Sequence, residues 1–232
     1  MHPTVDAAEL SWITAAEMRE IDRVMVADMH IELVQMMENA GRALAEVVGL
    51  GAPSSVTVLA GSGGNGGGGL VAARHLANVG VDVRVVLAQP SDAMTAVPAH
   101  QLDILERGDV STSSESTSVD ADVVVDALVG YSLRGPLRGR CAELVEAIPP
   151  PARVISLDVP SGVDATTGAV GPSAVRPDAT VTLCLPKTGL RDPVATGELF
   201  LADISVPPQV TATIGGTAPP FARGRVLRVT GR

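Results

Sequence analysis

Aromatic residues are almost missing from this chain, since Phe, Tyr and Trp together account for 2% of its 232 residues. Without large rings, Val, Ala, Leu and Ile must build the interior. Such an interior favours a parallel sheet covered by helices, whose buried strands are runs of these residues. No apolar run reaches the ~18 residues of a membrane span, and no basic-plus-apolar signal is found near residue 1. We therefore expect a cytoplasmic protein without a membrane partner.

Cysteine, histidine and basic residues are scarce as well. Cys141 and Cys184 stand in unrelated contexts without CxxC spacing, which favours inert thiols in a reduced compartment. His and Cys are too scattered to predict a zinc site. The formal net charge of −9 argues against a nucleic-acid partner, because phosphate backbones require clustered Lys and Arg. A phosphorylated small molecule stays compatible, because backbone amides can bind phosphate.

Helical and strand patterns alternate from residue 14 onward. Thr14 and Glu17 form a capping box ahead of two helices that extend to about Val48, with methionines on what we predict to be a core face. The alternation that follows predicts an α/β fold with a doubly wound sheet. The predicted strands are Val56–Ala60, Val81–Leu87, Val123–Asp126, Arg153–Asp158, Ala179–Leu185 and Leu199–Asp203, and the predicted later helices are Leu70–Asn78, Thr95–Arg107 and Gly139–Ile148.

The two ends of the chain differ in texture from its middle. We divide the chain into an N-terminal extension (residues 1–13), one domain (residues 14–208) and a C-terminal tail (residues 209–232). The tail is rich in Gly, Pro and Thr and ends in several Arg, so we expect it to be flexible and loosely packed. The Ser/Thr-rich stretch Ser111–Ser118 is predicted to be a surface loop.

Three unusual segments each begin where a predicted strand ends: Gly61–Gly69, Asp126–Pro136 and Asp158–Asp164. Ligands of open α/β sheets bind outside the carboxyl ends of the strands, at a topological switch point. The three segments are therefore predicted to form one crevice, although a chance convergence stays open.

The first segment contains a GxGxxG match between a strand and a helix, at Gly61, Gly63 and Gly66. Glycines allow a phosphate to approach the backbone and the positive end of the helix. A dinucleotide site of the dehydrogenase type also needs an acidic residue at the end of the second strand, and the residues there are Leu87, Ala88 and Gln89. No Lys follows the glycines, which excludes a P-loop. The segment predicts either nucleotide binding of another kind or a merely flexible loop.

Asp126 and Asp158 each close a buried strand, where a carboxylate is poorly solvated and needs a cation or hydrogen-bond donors. Asp158 is a candidate acid/base, with a capped turn as the alternative. Ser161 does not lie in a GxSxG motif, so a hydrolase triad is not predicted. The side-chain oxygens of Asn65, Asp126 and Ser161 suit a hard cation. Arg134 is equally compatible with a phosphate contact and with a solvated position.

Read together, these segments resemble the NAD(P)H-hydrate epimerases, a family also called the YjeF N-terminal domain. The resemblance spans roughly Thr14 to Pro207, in order. Its motifs are Ala15–Asp22, Met37–Arg42, the glycine segment with Leu70–Leu76, Asp126–Leu128, Asp158–Gly162, Pro186–Leu190 and Gly197–Leu199.

The resemblance implies a Rossmann-like three-layer αβα sandwich with a mostly parallel sheet, often dimeric. It implies a cofactor-repair enzyme that interconverts the R and S epimers of hydrated NADH and NADPH (NADHX and NADPHX), linked to a separate dehydratase. It implies Asp158 as the catalytic residue and a potassium ion bound by Asn65, Asp126 and Ser161. The implied substrate-binding residues are Gly64, Asn65, Gly66, Gly67, Gly68, Gly130, Tyr131, Ser132, Leu133, Arg134, Gly135, Pro136 and Asp158.

One motif departs from the family. Its pattern Asn-Asn-Gly-Gly-Asp-Gly corresponds here to residues 64–69, where Gly64 and Gly68 replace the first Asn and the Asp. Two polar side chains near the ligand are lost. The alternative hypothesis is therefore a non-catalytic nucleotide-binding module of the same fold.

Overall fold

The computed structural model describes residues 2–150 and 152–232, so Met1 and Pro151 lie outside the described residues. Within those ranges the chain forms one nine-stranded sheet with helices on both faces. The strands are β1 (Thr4–Asp6), β2 (Ser55–Ala60), β3 (Asp82–Leu87), β4 (Ser111–Ser113), β5 (Val123–Ala127), β6 (Arg153–Leu157), β7 (Ala179–Leu183), β8 (Glu198–Ala202) and β9 (Val226–Thr230). The helices are α1 (Ala15–Arg23), α2 (Leu33–Gly49), α3 (Gly64–Ala77), α4 (Ala96–Glu106), α5 (Arg140–Glu146), α6 (Pro193–Thr196) and α7 (Pro208–Ala212).

The strand order is β1-β9-β8-β7-β6-β5-β2-β3-β4, and every neighbouring pair is parallel except β8 with β9. The chain leaves β2 toward β3 on one side and later returns to place β5 on the other side of β2. The order of the strands therefore reverses next to β2, and the loops after β2 and β5 diverge there. Such a switch point opens a crevice at the carboxyl ends of the strands.

Strand residues alternate between two apolar layers. Val56 and Val58 of β2 point into a core shared with α2, α3 and α4, whereas Leu59 points into a second core that includes Leu144 of α5. Helices thus cover both faces of the sheet, as buried parallel strands require. The predicted three-layer αβα sandwich with a mostly parallel sheet is confirmed.

The predicted capping box at the start of α1 is present, because the Thr14 and Glu17 side chains each accept a hydrogen bond from the other residue's backbone N–H. A π-helical turn, Val24–Asp28, extends α1 and ends before α2 begins. Met18, Met25, Met36 and Met37 are buried as predicted, but Met29 is 36% exposed, so the core does not include it.

The glycine segment is helical over most of its length, which corrects the prediction of a helix that begins at Leu70. Helix α3 begins at Gly64. Each glycine in a helix costs up to about 1 kcal/mol relative to alanine. Close packing overrides it here: a methyl group added at Gly69 would lie 2.5 Å from Ala127 Cβ of β5. Only glycine lets the helix approach the sheet so closely.

Both chain termini are part of the sheet, which corrects the expectation of a loosely packed tail. Strand β9 pairs with β8 and with β1, so residues 4–6 and 226–230 extend the sheet at one edge. Arg232 donates hydrogen bonds to the carbonyls of Leu190 and Gly197 and fixes the last turn. At the other edge of the sheet, the stretch Ser111–Ser118 is predicted to be a loop, but its first three residues form β4, which pairs with β3. None of the helices in the described chain is long and apolar enough to cross a membrane.

Candidate active site

A cavity of about 270 Å³ lies at the carboxyl ends of β6 and β7, between the start of α3, the loop after β5, and helices α1 and α2. Its position matches the crevice predicted from the three segments. One wall is largely apolar and the other carries backbone and carboxylate groups. The lining residues are Met18, Asp22, Leu33, Met36, Met37, Ala40, Gly64, Asn65, Gly68, Gly130, Tyr131, Ser132, Leu157, Asp158, Leu183 and Ile204.

Asp158 follows β6 directly and turns its carboxylate into this cavity. Its backbone has φ +65°, in the left-handed region that non-glycine residues rarely adopt, and such conformations concentrate at functional sites. The turn is fixed by the Asp158 N–H, which donates to the Val181 carbonyl at 2.7 Å. The carboxylate is 3% exposed and accepts the Tyr131 backbone N–H at 2.8 Å through Oδ2. The backbone thus presents one carboxylate to the cavity in a defined orientation.

Lys187 forms a buried ion pair with Asp158. Its Nζ lies 2.5 Å from Asp158 Oδ1 and donates to the Leu183 carbonyl at 2.9 Å, and the side chain is fully buried. A buried charge of this kind is stable only when it is paired and hydrogen-bonded. The sequence analysis listed Lys187 within a family motif but assigned it no role. Three residues separate Lys187 from the end of β7, so no strand-end signal points to it, and only the packing of the turn after β7 reveals it.

Gly130 allows two polar side chains to meet at the cavity. A methyl group added there would lie 2.6 Å from Asp158 Oδ2 and 3.0 Å from Asn65 Oδ1. Asn65 stands in the first turn of α3, and its buried Nδ2 has no hydrogen-bond partner in the described chain. An unpaired buried amide is unfavourable by about 1–3 kcal/mol, so Asn65 is poised to bind a ligand group.

Asp126 lies behind the cavity rather than in its lining. Its carboxylate is fully buried, and its partners are neutral donors: the Ser161 N–H and hydroxyl at 2.8 and 2.6 Å and the Ser156 hydroxyl at 2.8 Å, with the Leu128 N–H at 3.3 Å. Burial raises the pKa of Asp126, and the hydrogen bonds from Ser161 and Ser156 oppose that rise. The structure thus brings Asp126 and Ser161 together as predicted, whereas Asn65 lies beside Gly130 and Asp158.

The oxygens around Asp126 fit a hard monovalent cation. The Asp126 carboxylate, the Ser161 hydroxyl and the Val129 carbonyl, which lies 3.1 Å from that hydroxyl, form one cluster. No cationic side chain hydrogen-bonds to Asp126 among the described residues, so a bound cation would neutralise its charge. The described residues contain no group of three or more His, Cys, Asp or Glu suited to a transition metal.

The other predicted substrate-binding residues fall into two groups, those that line the cavity and those that do not. Gly64, Gly68, Gly130, Tyr131 and Ser132 line the cavity together with Asn65 and Asp158. The remaining members of the predicted set lie outside the lining, either packed within α3 or on the rim. They are Gly66 and Gly67, which are buried, Leu133, which is half-buried, and Arg134, Gly135 and Pro136, which are exposed.

Neither His75 nor His100 lines the cavity. His75 Nε2 lies 2.8 Å from Glu38 Oε1, and Arg74 donates to the other oxygen of the same carboxylate at 2.5 Å. Glu38 thereby ties α2 to α3, outside the cavity. His100 lies on α4 and is exposed.

Residues 33–189 match the family model described as YjeF-related protein N-terminus. A protein of Dehalogenimonas lykanthroporepellens named NAD(P)H-hydrate epimerase is 47% identical over 98% of this chain and 96% of its own length. One of Rhodopirellula baltica with the same name is 35% identical over 86% of each chain.

Longer relatives and a solved structure agree with this match. The bifunctional NAD(P)H-hydrate repair enzyme Nnr of Methanothermobacter thermautotrophicus is 38% identical over 93% of this chain, which covers 44% of that protein. The crystal structure of yeast ynu0 (YNL200c) is 25% identical, has a TM-score of 0.83 and covers 94% of this chain and 100% of that one. The family match covers more than half of the chain and includes the segments that build the cavity. The chain therefore belongs to the family of YjeF-related N-terminal domains.

Proposed function

We propose that this cavity binds the hydrated nicotinamide ring of NADHX or NADPHX and that Asp158 exchanges the proton that epimerisation requires. The protein is an NAD(P)H-hydrate epimerase of cofactor repair. The observation that carries the assignment of the chemistry is the Asp158 carboxylate, which is fixed by Lys187 and Tyr131 at the wall of the cavity. Relatives that this chain matches over nearly their full length favour the enzyme over the non-catalytic module.

The size of the cavity supports binding of the nicotinamide ring, which is one part of the substrate. Its volume of about 270 Å³ lies just below the ~300–1,000 Å³ of sites that enclose a drug-sized ligand, so it fits a ring and not a dinucleotide. The ring would sit against Met36, Met37 and Met18, whose flexible thioethers adapt to a non-planar ring. The phosphates would then lie outside, toward the exposed start of α3 and residues 132–136, where helix N–H groups favour anions.

The chemistry follows from the substrate's own structure. The hydroxyl of the hydrated ring stands on a carbon next to the ring nitrogen, whose lone pair can form a C=N bond as the C–O bond breaks. A proton supplied to the hydroxyl makes water the leaving group and leaves a planar iminium ring. Water then adds from the other face and loses one proton, so atoms and charge balance over the cycle. General acid/base assistance of such a step contributes about 10²–10⁴ in rate.

The direct test uses a single purified epimer of NADHX. We expect the purified protein to accelerate conversion to the mixture of R and S forms well above the spontaneous rate, measured by chromatography of the two epimers. The control is the same assay with heat-denatured protein, because the reaction also proceeds slowly unaided. A rate equal to the spontaneous one in the presence of folded protein would contradict the proposal.

We propose further that potassium binds the oxygen cluster of Asp126, Ser161 and the Val129 carbonyl, with the side-chain oxygen of Asn65 as an additional ligand. The buried charge of Asp126, which meets only neutral donors, supports this position. A cation there would hold the loop after β5, which carries Gly130 and Tyr131, against the turn that carries Asp158. The ion thus has a positioning role and does not act on the substrate.

Exchange of potassium for sodium or choline at constant ionic strength should lower the turnover of the wild type. In Asp126→Asn the turnover should lose this dependence on potassium. Because burial raises the pKa of Asp126, an ion must compete with a proton there, and its apparent affinity should increase with pH. Equal turnover in all three salts, or an Asp126→Asn enzyme with the dependence of the wild type, would exclude the potassium site.

We place the protein in the cytoplasm, where its two free cysteines would stay reduced. The exposed apolar side chains Val26, Met29 and Leu33 support a homodimer. The bifunctional names of longer relatives support a functional link to a separate dehydratase.

A further inference from the structure

A second carboxyl group faces the same cavity as Asp158. Epimerisation moves the hydroxyl from one face of the ring to the other, so protons must be handled on both faces. Asp158 is attached to the sheet and reaches the ring from one side. Asp22 belongs to α1, a different wall of the cavity, and the mechanism above does not use it.

The hydrogen bonds of Asp22 leave one of its oxygens free for a ligand. Asp22 Oδ2 accepts a hydrogen bond from the Tyr131 hydroxyl, while Oδ1 has no hydrogen-bond partner among the residues that the structure describes. Asp22 is half-buried and lines the cavity. Its second oxygen is therefore available to a ligand in the cavity.

Tyr131 connects the two acids. Its backbone N–H donates to Asp158 Oδ2 and its side-chain hydroxyl donates to Asp22 Oδ2. Burial and the neighbouring Asp22 raise the pKa of the Tyr131 phenol, so the phenol keeps its proton and stays a donor. One residue thereby fixes the position of both carboxyl groups across the cavity.

The two acids have different electrostatic surroundings. Asp158 forms an ion pair with Lys187, whereas the hydrogen bond to Asp22 comes from a neutral phenol. Burial raises the pKa of Asp22, and the Asp158 charge acts in the same direction. The Tyr131 hydrogen bond, Lys187 and Arg19 oppose the rise. The nearby Cys184 thiol stays neutral, since burial raises its pKa to about 12. Groups whose environments differ in this way are suited to opposite roles in proton transfer.

We propose that Asp22 is a second catalytic carboxyl, which exchanges protons on the ring face opposite Asp158, with Tyr131 as its positioning residue. This proposal rests on the epimerase function given above. In one direction Asp22 gives its proton to the departing hydroxyl, water leaves, and Asp158 accepts a proton from the water that adds on the other face. In the other direction the roles exchange. Each cycle consumes and releases one water, and solvent restores the two protonation states.

The test compares the turnover and KM of Asp22→Ala and Asp22→Asn with those of the wild type on one purified epimer. Both variants should lower turnover by about 10²–10⁴ with little change in KM. Formate added to Asp22→Ala should restore part of the turnover by supplying the missing carboxyl group, which a structural role of Asp22 does not predict. Asp28→Asn is the matched control, because Asp28 is exposed and pairs with Arg23 outside the cavity.

The pH profile separates the two acids. With the epimer whose hydroxyl Asp22 protonates, the kcat/KM of the wild type should fall on the alkaline side, as Asp22 loses the proton that it donates. In Asp22→Asn, kcat/KM should be lower than in the wild type and should no longer show this fall at alkaline pH, the alkaline limb of the profile. Tyr131→Phe should lower turnover and shift the pH at which kcat/KM falls, but the fall itself should remain. The substitution changes the orientation of Asp22 and leaves its carboxyl group in place.

The outcomes also distinguish this inference from the proposed function. If the wild type does not epimerise the substrate, the function itself fails. If the wild type and Asp22→Asn epimerise at the same rate while Asp158→Asn is slow, a single acid suffices and only the inference fails. Slow Asp22→Ala turnover that formate leaves unchanged, with the alkaline limb retained, would assign Asp22 a purely structural role.

Discussion

Asp126 and Asp158 have the same position in the sequence pattern, since each ends an apolar strand, and the structure gives them different surroundings. Asp126 is sealed behind the cavity and binds neutral donors. Asp158 opens onto the cavity, has a left-handed backbone and pairs with a buried ammonium group. The role of a carboxylate at the end of a strand therefore depends on its hydrogen-bond and charge partners and on its exposure to a cavity. Its place at the end of a strand is not sufficient.

Removal of the ammonium group should affect the Asp158 side of this comparison most strongly. Lys187→Met replaces the apolar stem of the lysine side chain but leaves the Asp158 carboxylate without a cation. Loss of one partner of a buried ion pair costs about 3–5 kcal/mol. We expect the free energy of unfolding, measured with urea, to fall by that amount.

The double variant Lys187→Met/Asp158→Asn sharpens this prediction. Because it removes both charges, it should regain part of the stability that Lys187→Met loses. Glu198→Gln provides the control, since Glu198 pairs with Arg228 on the exposed surface and such pairs contribute about 0–1 kcal/mol. A loss in the double variant equal to the sum of the losses in Lys187→Met and Asp158→Asn would show that the ion pair does not couple the two residues.

Gly69 sets the distance between α3 and β5, the strand that carries Asp126. Gly69→Ala would place a methyl group 2.5 Å from Ala127 Cβ, and such overpacking costs about 1–3 kcal/mol. Gly49→Ala, at the end of α2, should be neutral or stabilising because its methyl group enters open space. Thermal unfolding of the two variants checks the prediction, and a Gly69→Ala protein as stable as Gly49→Ala would contradict the packing account.

A smaller effect is expected on the Asp126 side. Ser161→Ala removes one hydroxyl donor, while the Ser161 N–H, the Ser156 hydroxyl and the Leu128 N–H stay bound to the carboxylate. A single hydrogen bond of this kind contributes about 1 kcal/mol. Ser173→Ala serves as the control, because its hydroxyl binds Glu146 at the surface. A loss above about 3 kcal/mol would mean that the remaining donors do not hold the Asp126 carboxylate.

Much of the fold could be predicted because the buried strands are short Val-rich runs separated by helices. The six predicted strands lie where β2, β3, β5, β6, β7 and β8 are found. The glycine helix and the terminal strands could not be predicted locally. Gly64–Gly69 is helical because of its contact with β5, and β9 forms because β8 and β1 offer edges on both sides. Both results depend on residues that are distant in sequence.

The site could be predicted in part for the same reason. Strand-end position brought Asp158, Gly130 and Asn65 to one cavity, since parallel strands end at one edge of the sheet. Asp22 and Lys187 were not predicted to be site residues, because neither follows the strand-end pattern. Asp22 reaches the cavity from a helix, and Lys187 is buried after a loop. Only the packing of α1 and of the turn after β7 reveals them.

The central claim, that Asp158 and not Asp126 exchanges protons with the substrate, is tested most directly by the turnover of Asp158→Asn on one purified epimer at saturating potassium. Asn keeps the size of the side chain but cannot transfer a proton. The account predicts turnover lower by about 10²–10⁴, with a thermal unfolding profile that shows a folded protein. Turnover equal to that of the wild type would contradict it and leave Asp158 as a turn cap.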